Sequence, residues 1–219
     1  VGADVLHELP TAMIHVLDAR GSDVTFDVPG VGPVRARLPL LGRHQVANAR
    51  LAIAAARAFA PALTAEQIEG GLEHARWPGR FEACPAEPRL YWDGAHNPQG
   101  AATLRAAWRE ALGDAPGVLV LGLSEDKDAD SMLEALQGPW RRVVAVAARS
   151  PRARTPDDVA RRVTAAWPGV PVTTATSVAE GVAKALAALE PGERVLACGS
   201  LFVVGEAMAW AGGGNLVCL

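Results

Sequence analysis

Between residues 12 and 38, apolar and polar positions alternate in three short runs, around Ile14–Leu17, Val24–Val28 and Val34–Leu38, separated by turns at Arg20-Gly21 and at 29–33. Period-two alternation bounded by glycine and proline predicts strands, and the short connections predict an antiparallel meander. Gly30 and Gly32 fall between two of these strands, so their G-x-G spacing reads as hairpin chemistry and not as a dinucleotide loop.

From His44 to Ala60 the period changes. Val46, Ala49, Ile53 and Ala56 recur at helical spacing in an Ala- and Leu-rich run, which predicts a buried helix. T-A-E-Q at Thr64 is a capping box; it opens a second helix with Ile68, Leu72 and Ala75 on one face, stopped by Pro78-Gly79. The segment R-W-P-G-R-F-E-A-C-P-A-E-P, residues 76–88, then predicts a hinge.

Beyond the hinge the apolar runs R-L-Y-W, G-V-L-V-L-G, R-V-V-A-V-A-A, V-P-V-T-T-A and R-V-L-A-C alternate with longer amphipathic stretches. That alternation predicts an α/β domain with a largely parallel sheet. Helix starts are marked by Asn97 before Pro98, by a capping box from Thr155 to Asp158 with Pro156 at the first helical position, and by another from Ser177 to Glu180. Val182, Ala185, Leu186 and Leu189 form one stripe, facing a sheet.

Composition narrows the function classes. The 219 residues are half hydrophobic and 21% charged, a globular balance, and the net charge of -3 with scattered basic residues offers no footprint for nucleic acid. No apolar run is long enough for a membrane span, and the first ten residues lack the order of a signal peptide. Cys84, Cys198 and Cys218 show neither a disulfide framework nor zinc-site spacing, which fits a reducing cytoplasm. The chain opens on Val1, inside polar sequence, and is expected to be a piece of something longer.

Residues 91–100, Y-W-D-G-A-H-N-P-Q-G, concentrate polar chemistry where the first strand of the later sheet should end. Ligands in open α/β sheets bind beyond the carboxyl ends of strands, where helix N-termini favour anions. The loops at 124–128, 149–156 and 199–200 belong to the same edge, although any β/α loop is polar at a surface. Asp93 and His96 have no further metal ligands at recognisable spacing, and no G-x-S-x-G supplies a nucleophile, so metal and covalent chemistry are disfavoured.

Three separated segments together resemble one family. L-L-G-R-H-Q-V-A-N-A-R-L-A-I-A-A-A (40–56), W-P-G-R-F-E running into Y-W-D-G-A-H-N-P-Q-G-A, and G-L-S-E-D-K-D with the distant C-G-S-L-F-V-V-G-E look like folylpolyglutamate synthase, often also dihydrofolate synthase, of the Mur ligase superfamily. The resemblance runs over nearly the whole chain in order, and the D-K-D and C-G-S elements are those of the folate branch.

The resemblance implies an ATP- and Mg²⁺-dependent ligase that activates a folate or dihydropteroate carboxylate as an acyl phosphate, which the amino group of L-glutamate attacks. Carried onto this sequence, Asn48 would hydrogen-bond adenine, with His44 one turn away either shaping the pocket or capping the helix. Arg80 would reach nucleotide phosphate, Asp93 would contact ribose or orient the nucleotide, and His96 would line the cleft near the acyl phosphate. Asp93 and His96 are thus the catalytic candidates. Ser200 would hold the incoming glutamate. On the residues alone, Asn48 reads first as a helix side chain satisfied by neighbours, Arg80 as an exposed hinge arginine, and Asp93, His96 and Ser200 as turn or capping groups. Asp126 and Lys127 would stabilise their loop or a closed domain pair.

One family element is missing. With only two lysines, Lys127 and Lys184, the chain holds no G-x-x-x-x-G-K-[ST] phosphate loop. Residues 1–78 are therefore expected to be the end of a Mur-type central ATPase domain and residues 79–219 a Rossmann-like C-terminal glutamate-ligase domain. Mg²⁺ and most of the folate would be held by an N-terminal ATPase portion, and the chain alone would be inactive. A peptidoglycan-precursor Mur ligase and a non-enzymatic β/α binding module are the alternatives.

Overall fold

The computed structural model of the chain describes residues 9–213, so Cys218 and Gly214 lie outside the described residues. Contacts divide it into two compact units, one reaching to Trp77 together with Glu110–Leu112, the other holding Pro78–Arg109 and the chain from Gly113 onward.

The first unit begins with strands β1 (Thr11–Asp18), β2 (Gly21–Val28) and β3 (Gly32–Leu38), an antiparallel meander in that order. Gly21 (φ +126°) makes the first turn possible: a Cβ there would sit 2.2 Å from the Leu38 carbonyl oxygen. The alternation places Val24, Phe26 and Val28 with Val34, Ala36 and Leu38 on one face, where they meet Val46, Ala49 and Ile53 of helix α1 (Arg43–Phe59) and Ile68 and Leu72 of α2 (Ala65–Glu73).

Two details differ from expectation. Helix α1 buries one side only: Leu51 is 52% and Phe59 94% exposed, because its many alanines favour helix on every face without specifying burial. The capping box of α2 forms, with Gln67 N–H donating to Thr64 Oγ1 (3.3 Å) and Thr64 N–H to Gln67 Oε1 (3.0 Å). That helix nevertheless ends at Glu73, ahead of the proline. The Gly70-Gly71 pair weakens its last turn, and His74 Nδ1 donates to the Gly70 carbonyl at 2.8 Å.

The second unit is a six-stranded sheet of order β4-β5-β9-β6-β7-β8, from β4 (Glu82–Ala83), β5 (Leu90–Trp92), β6 (Gly117–Leu121), β7 (Trp140–Ala145), β8 (Val172–Thr174) and β9 (Arg194–Cys198). All neighbours are parallel except β4 on β5, where Glu82 faces Trp92 and Ala83 faces Tyr91. The stretch read as a hinge thus carries an edge strand. The chain runs outward from β5 to β8 and returns to insert β9 between β5 and β6, the reversal that creates a binding crevice in open sheets.

Helices α3 (Pro98–Leu112), α4 (Ala129–Leu136), α5 (Pro156–Ala166), α6 (Val178–Ala187) and α7 (Leu201–Ala211) alternate with these strands. Leu90, Trp92, Val118, Val120, Val195 and Ala197 pack with α6 and α7, while Tyr91 points the other way into a cluster with Phe81 and with Trp108 of α3. Asn97, Asp128, Thr155, Ser177 and Ser200 each accept an N–H from the helix they open. The two boxes expected in this unit are only half formed. The Asp158 carboxylate is taken by Arg154, Arg161 and Arg162, and that of Glu180 by Thr176 and Lys184.

Candidate functional site

In the second unit the site is built on the carboxyl ends of β5 and β9, which are neighbours in the sheet. Asp93 follows β5 directly, its N–H donating to the Ala197 carbonyl at 3.1 Å, so it continues the ladder and its side chain is fixed by the sheet. It is 8% exposed. Asp93 Oδ1 accepts the Ala95 N–H at 2.7 Å and Oδ2 the Phe81 N–H at 2.9 Å. Burial drives its carboxyl up to about 6; the two backbone donors and the charges of Arg80 and His96 pull the other way without cancelling it.

His96 lies three residues further along the same loop. A carbonyl can only accept, so its Nδ1 donates to Gly94 O at 2.8 Å, which fixes the ring and leaves Nε2 as the outward nitrogen. Asn97 then caps α3, Oδ1 accepting the Gly100 N–H at 2.8 Å. On the neighbouring strand, Cys198 is buried and its thiol is pushed up by desolvation and by Asp93, while Ser200 caps α7, Oγ accepting the Phe202 N–H at 3.2 Å. Gly199 (φ +100°) lies between them, and a Cβ there would be 2.4 Å from the Gly122 carbonyl oxygen. Its N–H donates to the Ala95 carbonyl at 3.1 Å, which ties the β9 loop to the β5 loop.

Arg80 is exposed at the apex of a turn whose flanking residues, Gly79 and Phe81, are buried. Sequence reasoning missed what holds this turn. Glu82 Oε1 accepts both the Gly79 N–H (2.9 Å) and the Trp92 indole N–H (2.7 Å), and the Gly94 N–H donates to Gly79 O at 2.7 Å. A Cβ at Gly94 would meet the Leu201 side chain at 2.6 Å, so Leu201 would have to shift. The only available signal was the antiparallel potential of a short E-A run before L-Y-W.

The loops at 124–128 and 149–156 close on each other through the Ser124–Ala153 bridge, an Arg154 N–H to Leu123 O bond of 2.9 Å and an Arg152–Asp126 pair of 3.2 Å. Asp126 also pairs with Lys127 at 3.4 Å, a loop-stabilising role.

In the first unit, Asn48 and His44 lie on the opening turns of α1. Asn48 is exposed, and its Nδ2 donates to Gln45 Oε1 at 3.1 Å. Gln45, buried and one turn back, is the other residue that sequence reasoning passed over, although its i, i+3 spacing offered the clue. Both amides line a groove of about 690 Å³ between α1 and α2, walled by aliphatic side chains and Trp77. The pairing leaves Asn48 Oδ1 as an acceptor and the Gln45 Nε2 amide hydrogens as donors. His44 stands half-exposed beside this pair without lining the groove.

Among the described residues no group of three or more His, Cys, Asp or Glu is placed to hold a metal ion, and no helix is long and apolar enough to cross a membrane.

Residues 79–201 match the family described as Mur ligase, glutamate ligase domain. The chain is 39% identical over 171 residues to a probable bifunctional folylpolyglutamate synthase/dihydropteroate synthase of Haloferax volcanii, covering 78% of this chain and 20% of that one. It is 38% identical over 121 residues to a dihydrofolate synthase/folylpolyglutamate synthase of Mycobacterium tuberculosis, covering 53% of this chain and 25% of that one. A solved Mycobacterium tuberculosis folylpolyglutamate synthase complexed with ADP superposes with a TM-score of 0.82 at 27% identity, over 92% of this chain and 48% of that one. The chain therefore spans about half the length of that structure. With the match running through Arg80, Asp93, His96 and Ser200, the chain belongs to the Mur ligase family and carries its glutamate ligase domain.

Proposed function

We propose that this chain supplies the glutamate-ligase lobe of an ATP-dependent folylpolyglutamate synthase that also acts as a dihydrofolate synthase. The observation that carries the reading is the meeting of Asp93, His96 and Ser200 at the adjoining ends of β5 and β9, beside the anchored Arg80 turn. In the reaction a carboxylate oxygen of folate or dihydropteroate takes the γ-phosphoryl of ATP and ADP leaves. The amine of L-glutamate then attacks the acyl carbon, loses a proton and expels phosphate. A carboxylate is a poor electrophile, and the phosphate gives it a leaving group whose charge the site must meet.

Each residue has a part. Asn48, held by Gln45, contacts the adenine edge, and His44 shapes that end. Arg80 offers a forked guanidinium to nucleotide phosphate. Asp93 orients the nucleotide and fixes the surrounding backbone, and His96 presents Nε2 to the acyl-phosphate end as the acceptor of the amine proton. Ser200, at the N-terminus of α7, receives a glutamate carboxylate where the helix favours negative charge. Mg²⁺, which would neutralise charge on the transferring phosphoryl, would be held mainly by the N-terminal ATPase portion.

Residues 1–78 are on this reading the end of a central ATPase domain, and the phosphate-cradling loop comes from an ATPase portion outside the 219 residues. The chain alone turns over no ATP, and the enzyme works in the cytoplasm. The test is phosphate release by the complete ligase with a folate and L-glutamate, run beside UDP-linked muramyl acceptors. Turnover only with the muramyl acceptor would assign the peptidoglycan branch, and turnover with neither would leave a binding module.

A further inference from the structure

Arg80 is the most exposed functional group of the second unit's site, yet the backbone on either side of it is buried and bonded. Four constraints converge on the turn. Gly79 N–H is held by Glu82 Oε1 at 2.9 Å, Gly79 O by the Gly94 N–H at 2.7 Å, Phe81 N–H by Asp93 Oδ2 at 2.9 Å, and Glu82 itself by the Trp92 indole at 2.7 Å. Phe81 is the one non-glycine with positive φ among the described residues, at +38°, a conformation that costs about 1–3 kcal/mol and persists only where its surroundings over-determine it. Its ring is 1% exposed and packs on Tyr91 at a centroid distance of 5.6 Å.

A strained, over-determined turn beneath a long flexible cation is an arrangement for aiming it. The guanidinium loses less freedom on meeting phosphate if its Cα–Cβ direction is already set. Glu82 is central to that aim, because a single carboxylate oxygen joins the turn's first N–H to the β5 strand. Its other oxygen is not needed for either bond.

We propose that Glu82 is a positioning residue for Arg80: by accepting the Gly79 N–H and the Trp92 indole N–H on one oxygen, it fixes the turn from which Arg80 reaches nucleotide phosphate. This rests on the phosphate role given to Arg80 above. What matters is an acceptor oxygen at that point, not negative charge, and the effect travels through the backbone of residues 79–81.

The test is a double-mutant cycle on ADP affinity in the complete ligase that carries this chain, with KM for ATP and kcat measured alongside. Glu82→Ala should weaken ADP binding about 10-fold and raise KM for ATP by a similar factor, with kcat changed less than about 3-fold. Glu82→Gln, which keeps the acceptor oxygen, should recover ADP affinity to within about 2-fold. In an Arg80→Ala background, Glu82→Ala should have less than about a 2-fold further effect. If Glu82→Ala does not fold, Trp92→Phe removes the indole donor together with part of a buried ring; it should weaken ADP binding about 3-fold, again only when Arg80 is present. Equal losses in both backgrounds, or a Glu82→Gln variant as poor as Glu82→Ala, would overturn the positioning role while leaving the function standing. An Arg80→Ala variant with unchanged ADP affinity would instead overturn the phosphate role, and the inference with it.

Discussion

The Phe81 N–H donates to Asp93 Oδ2 at 2.9 Å, joining the turn that carries Arg80 to the first residue beyond β5. Asp93 is therefore more than a polar group at a cleft. Alanine there strands two buried backbone donors, of Phe81 and Ala95, and each such loss costs about 1–3 kcal/mol. Asp93→Ala should lower stability by roughly 2–4 kcal/mol in urea denaturation, seen as a lower midpoint at unchanged slope. A change below about 0.5 kcal/mol would mean that these bonds are not made. On the residues alone Asp93 reads as a turn or capping group, and its two backbone bonds make it part of the fold.

The same burial gives stability a pH dependence of unusual sign. Asp93 is raised from 3.8 to about 6, so the folded state holds its proton more tightly than the unfolded chain does. Its contribution is complete below the unfolded value and is lost as pH rises through about 6. Between pH 4.5 and 7.5 the wild type should lose about 2 kcal/mol relative to Asp93→Asn, which cannot titrate. Paired denaturation curves at the two pH values read this directly, and parallel behaviour of the two proteins would contradict it.

Gly199 separates the buried end of β9 from the cap of α7. With φ at +100° and a virtual Cβ 2.4 Å from the Gly122 carbonyl, alanine must push the β9 loop away from β6. Gly199→Ala should cost about 2–4 kcal/mol, and any folded protein should bind L-glutamate more weakly because Ser200 moves with it. Isothermal titration with glutamate in the complete ligase checks the second effect; unchanged affinity would place glutamate elsewhere.

Thr64 offers a local test of helix capping. Removing its hydroxyl dismantles half of the capping box with Gln67, and Thr64→Ala should cost about 1 kcal/mol. Thermal denaturation measures it.

Much of this architecture was legible in local pattern. The alternation in β1–β3 and the apolar runs of β5–β9 have one period each, and Asn97 and Ser200 sit where a helix start needs an acceptor. Strand order was not legible, because insertion of β9 between β5 and β6 is settled by packing and leaves no local trace. Strand β4 was hidden by its length, as two residues carry no period. Asp158 and Glu180 have the spacing of box partners but sit beside arginines or a lysine that compete for them. Asp93, His96, Arg80 and Asn48 were visible as motif residues. Gln45 and Glu82, whose work is to hold Asn48 and the Arg80 turn, were not, because their partners are a helix neighbour and a backbone N–H.

The most direct test of the assignment sets Arg80→Ala against Ser200→Ala in the complete ligase, measuring KM for ATP and for L-glutamate in each. The account predicts a crossed pattern: at least about a 10-fold rise in KM for ATP with Arg80→Ala and in KM for glutamate with Ser200→Ala, each with little effect on the other substrate. Equal effects on both substrates in both variants, or the reverse pairing, would contradict it.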